Sequence, residues 1–274
     1  MLMPTSPLVI AELGGVWRRT LVREADGSTD RTTAVTWVQG PSLFGDLRRP
    51  ARLDEAVGSG CLADLDRPQL LALCEQKAFA GTLEADDSVF SWVRRIDLHP
   101  PTAAPDAGTL RWERSARAGQ DALLVEEGVH EDYLEHWAPV LRVPDALAAA
   151  ALLEDPQEGC TGVLVRAGSW FCYARDRPVP LPASAVSLAE QVAGCAGRAQ
   201  AVALLDCEVS IGRVQAEHWE ITRSTLPHRV GAVLRPVLSP SGDQLRIGDA
   251  DPHGRDRARD WLLSRAEGPL ALLT

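Results

Sequence analysis

The sequence has no excess of positive charge, no long apolar run and no recognisable leader. Its 274 residues carry 28 Lys and Arg against 38 Asp and Glu, a net charge of −10. Nucleic acids and anionic membranes bind basic patches, so neither is expected as a partner. No run of about 18 apolar residues predicts a membrane span. Residues 1–10 lack the basic segment and the long apolar run of a signal peptide, which favours a cytoplasmic protein.

Motifs for metal, redox and nucleophilic chemistry are also absent from the sequence. The six cysteines form no CxxC pair and match no zinc spacing, so we expect reduced structural thiols. There is no GxSxG, no P-loop and no GxGxxG after a strand. His130, Asp132 and His136 would share one face of a strand, but a solvated polar face explains them more simply. We therefore predict no cofactor and no metal site.

What the sequence does have is alternation with period two, which is typical of strands. It predicts strands over residues 15–24, 32–39, 43–49, 89–98, 109–113, 122–126 and 132–140, separated by turn motifs such as "ADGS" and "EADDS". Short strands at this spacing indicate an all-β barrel or sandwich. Capping patterns at Asp66 and Ser187 predict one short helix in each half, over 69–78 and 188–194. The alanine-rich stretch 143–159 is predicted to be a helical linker.

The two halves resemble each other, which indicates a tandem duplication. "AVTWVQGPSLFGDLRRP" (34–50) is similar to "GVLVRAGSWFCYARDRP" (162–178). Trp92 and Trp219 lie 127 residues apart, while Pro50 and Pro178 lie 128 apart. A one-residue slip reverses the face of a strand, so we expect that face assignments cannot be copied between the halves.

A group of segments carries a resemblance to a known family: "WVQGPSLFGDLRRP", "AFAGTLE", "WVRRIDLHPP…PDAG" and "LLVEEGVHEDYLEHW". They are similar to a fungal family named for its interaction with a casein-kinase-type protein kinase, and to uncharacterised bacterial relatives. The resemblance covers mainly residues 13–140, and the Ala/Arg-rich composition looks bacterial. It implies two tandem lipocalin-like (calycin-type) antiparallel β-barrels, over 1–143 and 160–274, joined by a linker over 144–159. It implies no reaction and no catalytic residues.

The candidate site is a polar cluster in the first barrel. Phe44, Asp46 and Arg48 share one strand face, and Tyr133, Glu135 and Trp137 share another. In "SWVRRIDLHPP" the alternation puts Arg94 with Trp92 and puts Arg95 with Asp97, so either arginine can face inward. The candidate ligand-binding residues are Gln39, Phe44, Asp46, Arg48, Trp92, Arg94, Arg95, Asp97, Glu126, Tyr133, Glu135 and Trp137.

Three functions are compatible with this cluster. The favoured one is a binding module that holds a small, partly apolar ligand in the first barrel. The second is a cofactor-independent isomerase, lyase or hydrolase that uses a carboxylate beside an arginine. The third is an adapter for a protein partner, as the fungal resemblance suggests. The sequence leaves open which of them applies, whether the protein is an enzyme, and its oligomeric state.

Overall fold

The computed structural model describes residues 8–102, 104–113, 122–182 and 186–274. Residues 1–7, on which part of the signal-peptide expectation rests, lie outside the described residues. The described chain is predominantly β, which confirms the predicted fold class. Its strands are β1 (Gly15–Arg23), β2 (Thr29–Asp30), β3 (Ala34–Gln39), β4 (Leu43–Arg49), β5 (Lys77–Asp86), β6 (Val89–Asp97), β7 (Ala107–Glu113), β8 (Leu123–Gly128), β9 (Leu134–Arg142), β10 (Ala148–Asp155), β11 (Cys160–Ala167), β12 (Trp170–Arg175), β13 (Glu208–Gln215), β14 (His218–Ser224), β15 (Val237–Leu238), β16 (Gln244–Ala250) and β17 (Asp256–Glu267).

The first nine strands form one antiparallel sheet that closes on itself. Strand β1 pairs with β3 on one side and with β9 on the other, so eight strands make a closed barrel and β2 is a short addition to β1. Closure leaves no free edge on these eight strands. We call this unit the first barrel.

The remaining strands form a second antiparallel sheet in the order β14-β13-β12-β11-β10-β17-β16-β15. This second sheet curls but does not close strand to strand. The segment 231–234 bridges its edges, since Leu234 N donates to Trp219 O at 3.1 Å and Gly248 N donates to Leu234 O at 2.7 Å. Backbone groups at both edges thereby find partners.

In the described part of the chain each half carries two short α-helices, not the single helix that the sequence predicted. The helices are α1 (Leu53–Val57), α2 (Arg67–Leu73), α3 (Leu188–Gly194) and α4 (Arg198–Leu205). The capping boxes at Asp66 and Ser187 are present as predicted, and α3 has the predicted bounds. Helix α2 ends at Leu73, because the chain from Lys77 onward enters β5. No helix in the described part of the chain has the length and apolarity to cross a membrane.

The prediction of a helix over 143–159 is wrong, because Ala148–Asp155 form strand β10 between β11 and β17. Ala149 and Ala151 belong to the apolar core inside the curled second sheet. Ala148 and Ala150 belong to the apolar core between the second sheet and the first barrel. All four are at most 1 % exposed. Alanine favours helices in isolation, but here both faces of a strand are closely covered, and small side chains fit that position.

The pairing registers support the inferred duplication. Trp37 pairs with Asp46 in the first barrel, and Leu164 pairs with Tyr173 in the second sheet, so both strands keep an offset of 127. Trp92 and Trp219 keep the same offset. The expectation that faces cannot be copied is therefore wrong for these strands, because the additional residue comes after β12, before Pro178.

The first barrel and the second sheet share an apolar core. The outward side chains of β4 and β5, including Leu47 and Ala80, pack with Val163, Val165 and other residues of the second sheet. The two units approach closely at Gly45, where a Cβ atom would lie 2.2 Å from Cys172 Sγ. Glycine at this position allows the two units to touch.

Candidate functional site

A cavity of about 640 Å³ opens at one end of the first barrel. The other part of the barrel interior is filled by large apolar side chains, among them Trp17, Trp37, Phe44 and Trp92. The open end is where β4 and β6 finish and where β5 and β9 begin, so their terminal side chains line it. The second half contributes Ser187, at the start of α3, to the same cavity.

Asp46 and Arg48 face the interior of the first barrel. Phe44 on the same face belongs to its apolar core, whereas Leu43 and Leu47 on the opposite face pack against the second sheet. Arg48 Nε donates to Asp46 Oδ1 at 2.9 Å. Burial raises the pKa of Asp46, while the charge of Arg48 opposes that rise.

Glu135 is the centre of the ionic cluster. Its Oε1 accepts from Arg19 Nη1 at 2.6 Å and from Arg48 Nη1 at 3.0 Å. Its Oε2 is buried and has no hydrogen-bond partner among the described residues. Arg19 also reaches Asp30 Oδ2, at 3.4 Å. Oε1 thus accepts from two arginines, whereas Oε2 is a buried acceptor without a partner among the described residues.

A β-bulge decides which arginine of β6 faces inward. Gly81 pairs with Arg94 while Ala80 pairs with Ile96, so Arg95 is the additional residue. Arg94 then points inward and Arg95 is exposed. Because the bulge shifts the alternation, Asp97 joins Arg94 on the inner face, with Arg94 Nη1 and Asp97 Oδ2 2.8 Å apart.

The bulge requires glycine at position 81. A Cβ atom there would lie 2.0 Å from Val93 O and 2.9 Å from Arg95 N. Arg94 Nη2 also donates to Asp106 Oδ2 at 2.6 Å. Although burial alone would lower it, the two aspartates raise the pKa of Arg94. Its guanidinium packs on the Phe79 ring, with Cζ 3.8 Å from the ring centroid.

Glu126 lies behind the cavity wall and is held by two donors. Tyr133 Oη is 2.7 Å from its Oε1, and Trp137 Nε1 donates to its Oε2 at 3.0 Å. Glu126 and Glu135 are directly opposed on neighbouring strands, an arrangement that disfavours ionisation of both. Burial and this repulsion raise the pKa of Glu126 to about 8. At neutral pH Glu126 therefore holds a proton, and one hydrogen bond, to Tyr133 Oη, separates it from the cavity.

The predicted site residues divide into three groups, with Arg95 as an exception. Those that line the cavity are Arg48, Arg94, Asp97, Tyr133 and Glu135. Asp46 and Glu126 lie behind them and bond to them. Phe44, Trp92 and Trp137 belong to the apolar core, and Gln39 accepts from Trp37 Nε1 at 3.0 Å. Arg95 alone points away from the barrel interior.

Sequence reasoning missed Arg19, Asp30, Phe79 and Asp106. Arg19 follows Trp17 by two residues on β1, so period-two alternation places both on one strand face and could have identified Arg19 as a site residue. Phe79 lies on β5, a strand that the period-two alternation did not predict. Asp30 and Asp106 lie at or beside loops, where alternation gives no information. In the described part of the chain no group of three or more His, Cys, Asp and Glu side chains is arranged to hold a metal.

Comparisons with known proteins identify no family. No protein-family model and no curated protein sequence matches the chain. A similar solved structure is the crystal structure of the uncharacterized protein YLR301w from Saccharomyces cerevisiae. It is 12% identical, the match covers 92% of this chain and 98% of that chain, and the TM-score is 0.45. A likeness at this level assigns no function.

Proposed function

We propose that the protein is a binding module that holds a small molecule at the open end of the first barrel. The observation that carries this proposal is Glu135, which lines a cavity of about 640 Å³ and whose buried Oε2 has no hydrogen-bond partner among the described residues. Cavities of roughly 300–1,000 Å³ with a few convergent polar groups are typical of small-molecule sites. Because tryptophans fill the rest of the barrel, the ligand lies at its mouth.

The surface gives less support to an adapter. The exposed large apolar side chains of the described residues are all valines and leucines, such as Val129, Val237 and Leu262. Protein interfaces centre on buried aromatic and arginine anchors. The resemblance to a kinase-interacting fungal family keeps a protein partner as an alternative, and it would use a surface away from the cavity.

An acid–base enzyme is the second candidate, and the Glu126–Tyr133 pair favours it. Glu126 has a pKa of about 8, close to the value that suits proton transfer at neutral pH. It does not line the cavity, so any proton exchange with a substrate passes through Tyr133 Oη. Isomerase, lyase or hydrolase chemistry would then require Tyr133, whereas binding alone would tolerate Tyr133→Phe.

The test of binding is the intact mass of freshly purified protein under native and then denaturing conditions. We expect an additional small-molecule mass under native conditions only. Ala107 lines the cavity, so Ala107→Leu should reduce the bound fraction, and the exposed Arg95→Gln should not. Equal masses for the wild-type protein in both conditions would contradict tight binding.

A further inference from the structure

The arginines at the open end of the first barrel are all occupied by carboxylates. Arg19 contacts Glu135 and Asp30, and Arg48 contacts Asp46 and Glu135. Arg94 contacts Asp97 and Asp106, at 2.8 and 2.6 Å. Three guanidinium groups thus face five carboxyl groups. Each guanidinium group holds two carboxyl groups, although Arg94 Nε has no hydrogen-bond partner among the described residues, so a ligand carboxylate or phosphate would compete with existing ion pairs.

The charge balance of this cluster is negative. With all five carboxyl groups ionised the three arginines leave two negative charges uncompensated. Burial raises the pKa of Asp46, and even with that group neutral one negative charge remains. Among the described residues, the rim adds the carboxylates of Glu24, Glu75 and Glu131 and one lysine, Lys77. A cleft lined by one sign of charge concentrates ligands of the opposite sign.

Glu135 supplies the specific contact. Its side chain is 3 % exposed, and both arginines that it binds share Oε1. Oε2 is a buried acceptor without a partner among the described residues, and an unpaired buried acceptor is unfavourable, most of all in a charged group. A cationic N–H donor would both hydrogen-bond this oxygen and reduce the negative charge of the cluster. An alcohol would hydrogen-bond the oxygen but would leave the charge unchanged.

From these contacts we propose that the ligand of the first barrel is a small amine or amidine whose cationic nitrogen pairs with the Glu135 carboxylate. The inference rests on the proposed function and names its ligand class. Phe79, Val22 and Pro101 supply apolar wall beside the carboxylate. The ligand is thus a cation with a short apolar body.

The experiment compares three probes that share one phenyl ring: 2-phenylethylamine, 2-phenylethanol and phenylacetate. Calorimetric titration at pH 7 should give the amine an affinity at least tenfold above the other two. Glu135→Gln should remove most of that preference. Arg95→Gln, which changes an exposed arginine of the same strand, should leave it unchanged. Circular dichroism checks that each variant is folded.

A second variant tests the charge argument without removing Glu135. Asp106→Asn releases one side of the Arg94 fork, so phenylacetate should gain affinity several-fold and the amine should lose some. Tighter binding of phenylacetate to the wild type, or an unchanged amine preference in both Glu135→Gln and Asp106→Asn, would overturn the amine inference and leave a binding site. No binding of any probe, with equal native and denatured masses, would overturn the proposed function as well.

Discussion

At the scale of single residues, the first barrel contains an acid that is better protonated than ionised. Glu126 has a pKa of about 8, whereas a glutamate in an unfolded chain titrates at about 4.3. At pH values between these two pKa values, Glu126 is protonated in the folded state and ionised in the unfolded state. The free energy of unfolding therefore falls as the pH rises from the unfolded pKa to the folded pKa, and above the folded pKa it falls no further from this cause.

Glu126→Gln should remove this dependence. The amide resembles the protonated carboxyl group: its oxygen accepts from Trp137 Nε1 and its N–H donates to Tyr133 Oη. We expect the variant to gain on the order of a few kcal/mol over the wild type as the pH rises from 5 to 8.5. Urea unfolding at several pH values measures this.

The neighbouring residue provides the control for that measurement. Glu127 is exposed and pairs with Arg111 on the surface, so Glu127→Gln should follow the wild-type pH curve. Parallel pH curves for the wild type and Glu126→Gln would refute the assignment of a stored proton to this carboxyl group.

At the scale of secondary-structure elements, the bulge in β6 positions the cluster. Gly81→Ala would place a Cβ atom 2.0 Å from the carbonyl oxygen of Val93. Backbone atoms cannot move aside as a flexible side chain can, so we expect a loss of about 3 kcal/mol or more in the free energy of unfolding. Denaturant unfolding measures it.

A second glycine substitution serves as reference. Gly194 ends α3 with open space around it, so Gly194→Ala should be neutral or slightly stabilising. A cost for Gly81→Ala no larger than that of Gly194→Ala would show that the strand pairing can lose its bulge.

The elements also show how far the sequence was informative. Alternation placed Asp46 with Arg48, and Tyr133 with Glu135, on the correct faces. It failed at Arg95, because a bulge leaves no mark in the spacing of side-chain types. The helix prediction over 143–159 was wrong for a different reason: in β10 the alanines are buried on both faces of a strand, and this burial outweighs their helix propensity. Contacts made from loops, such as Asp106 with Arg94, depend on the closed barrel and have no local signal.

At the scale of the whole molecule, corresponding strands of the two halves differ in what their side chains contact. Arg175 occupies the position in β12 that Arg48 occupies in β4. Its side chain is fully buried and pairs with Asp206 at 2.7 Å, whereas the side chain of Arg48 is 20 % exposed and lines the cavity. The same strand pattern therefore serves packing in the second sheet and a candidate site in the first barrel.

The close contact between the first barrel and the second sheet should require glycine at position 45. Gly45→Ala would bring a Cβ atom to 2.2 Å from Cys172 Sγ, and we expect it to cost about 1–3 kcal/mol of stability. Cys172→Ala alone should cost about 1 kcal/mol, for the lost sulfur contacts.

The double variant tests that interpretation. Because Cys172→Ala removes the clashing sulfur, Gly45→Ala with Cys172→Ala should cost less than the sum of the two single changes in a thermal or urea unfolding series. Strict additivity would mean that these two residues do not control the approach of the units.

The tryptophan filling of the first barrel has an optical consequence. Trp37 lies within 5.6–5.9 Å of Trp17, Trp92 and Trp137, measured between ring centroids. Indoles this close exchange excitation energy and emit as a shielded group, so unfolding should shift their emission strongly to the red. Among the described residues that line the cavity there is no tryptophan. A ligand that enters it can therefore leave the intrinsic fluorescence almost unchanged, and a flat fluorescence titration of this protein is not a sign that nothing has bound.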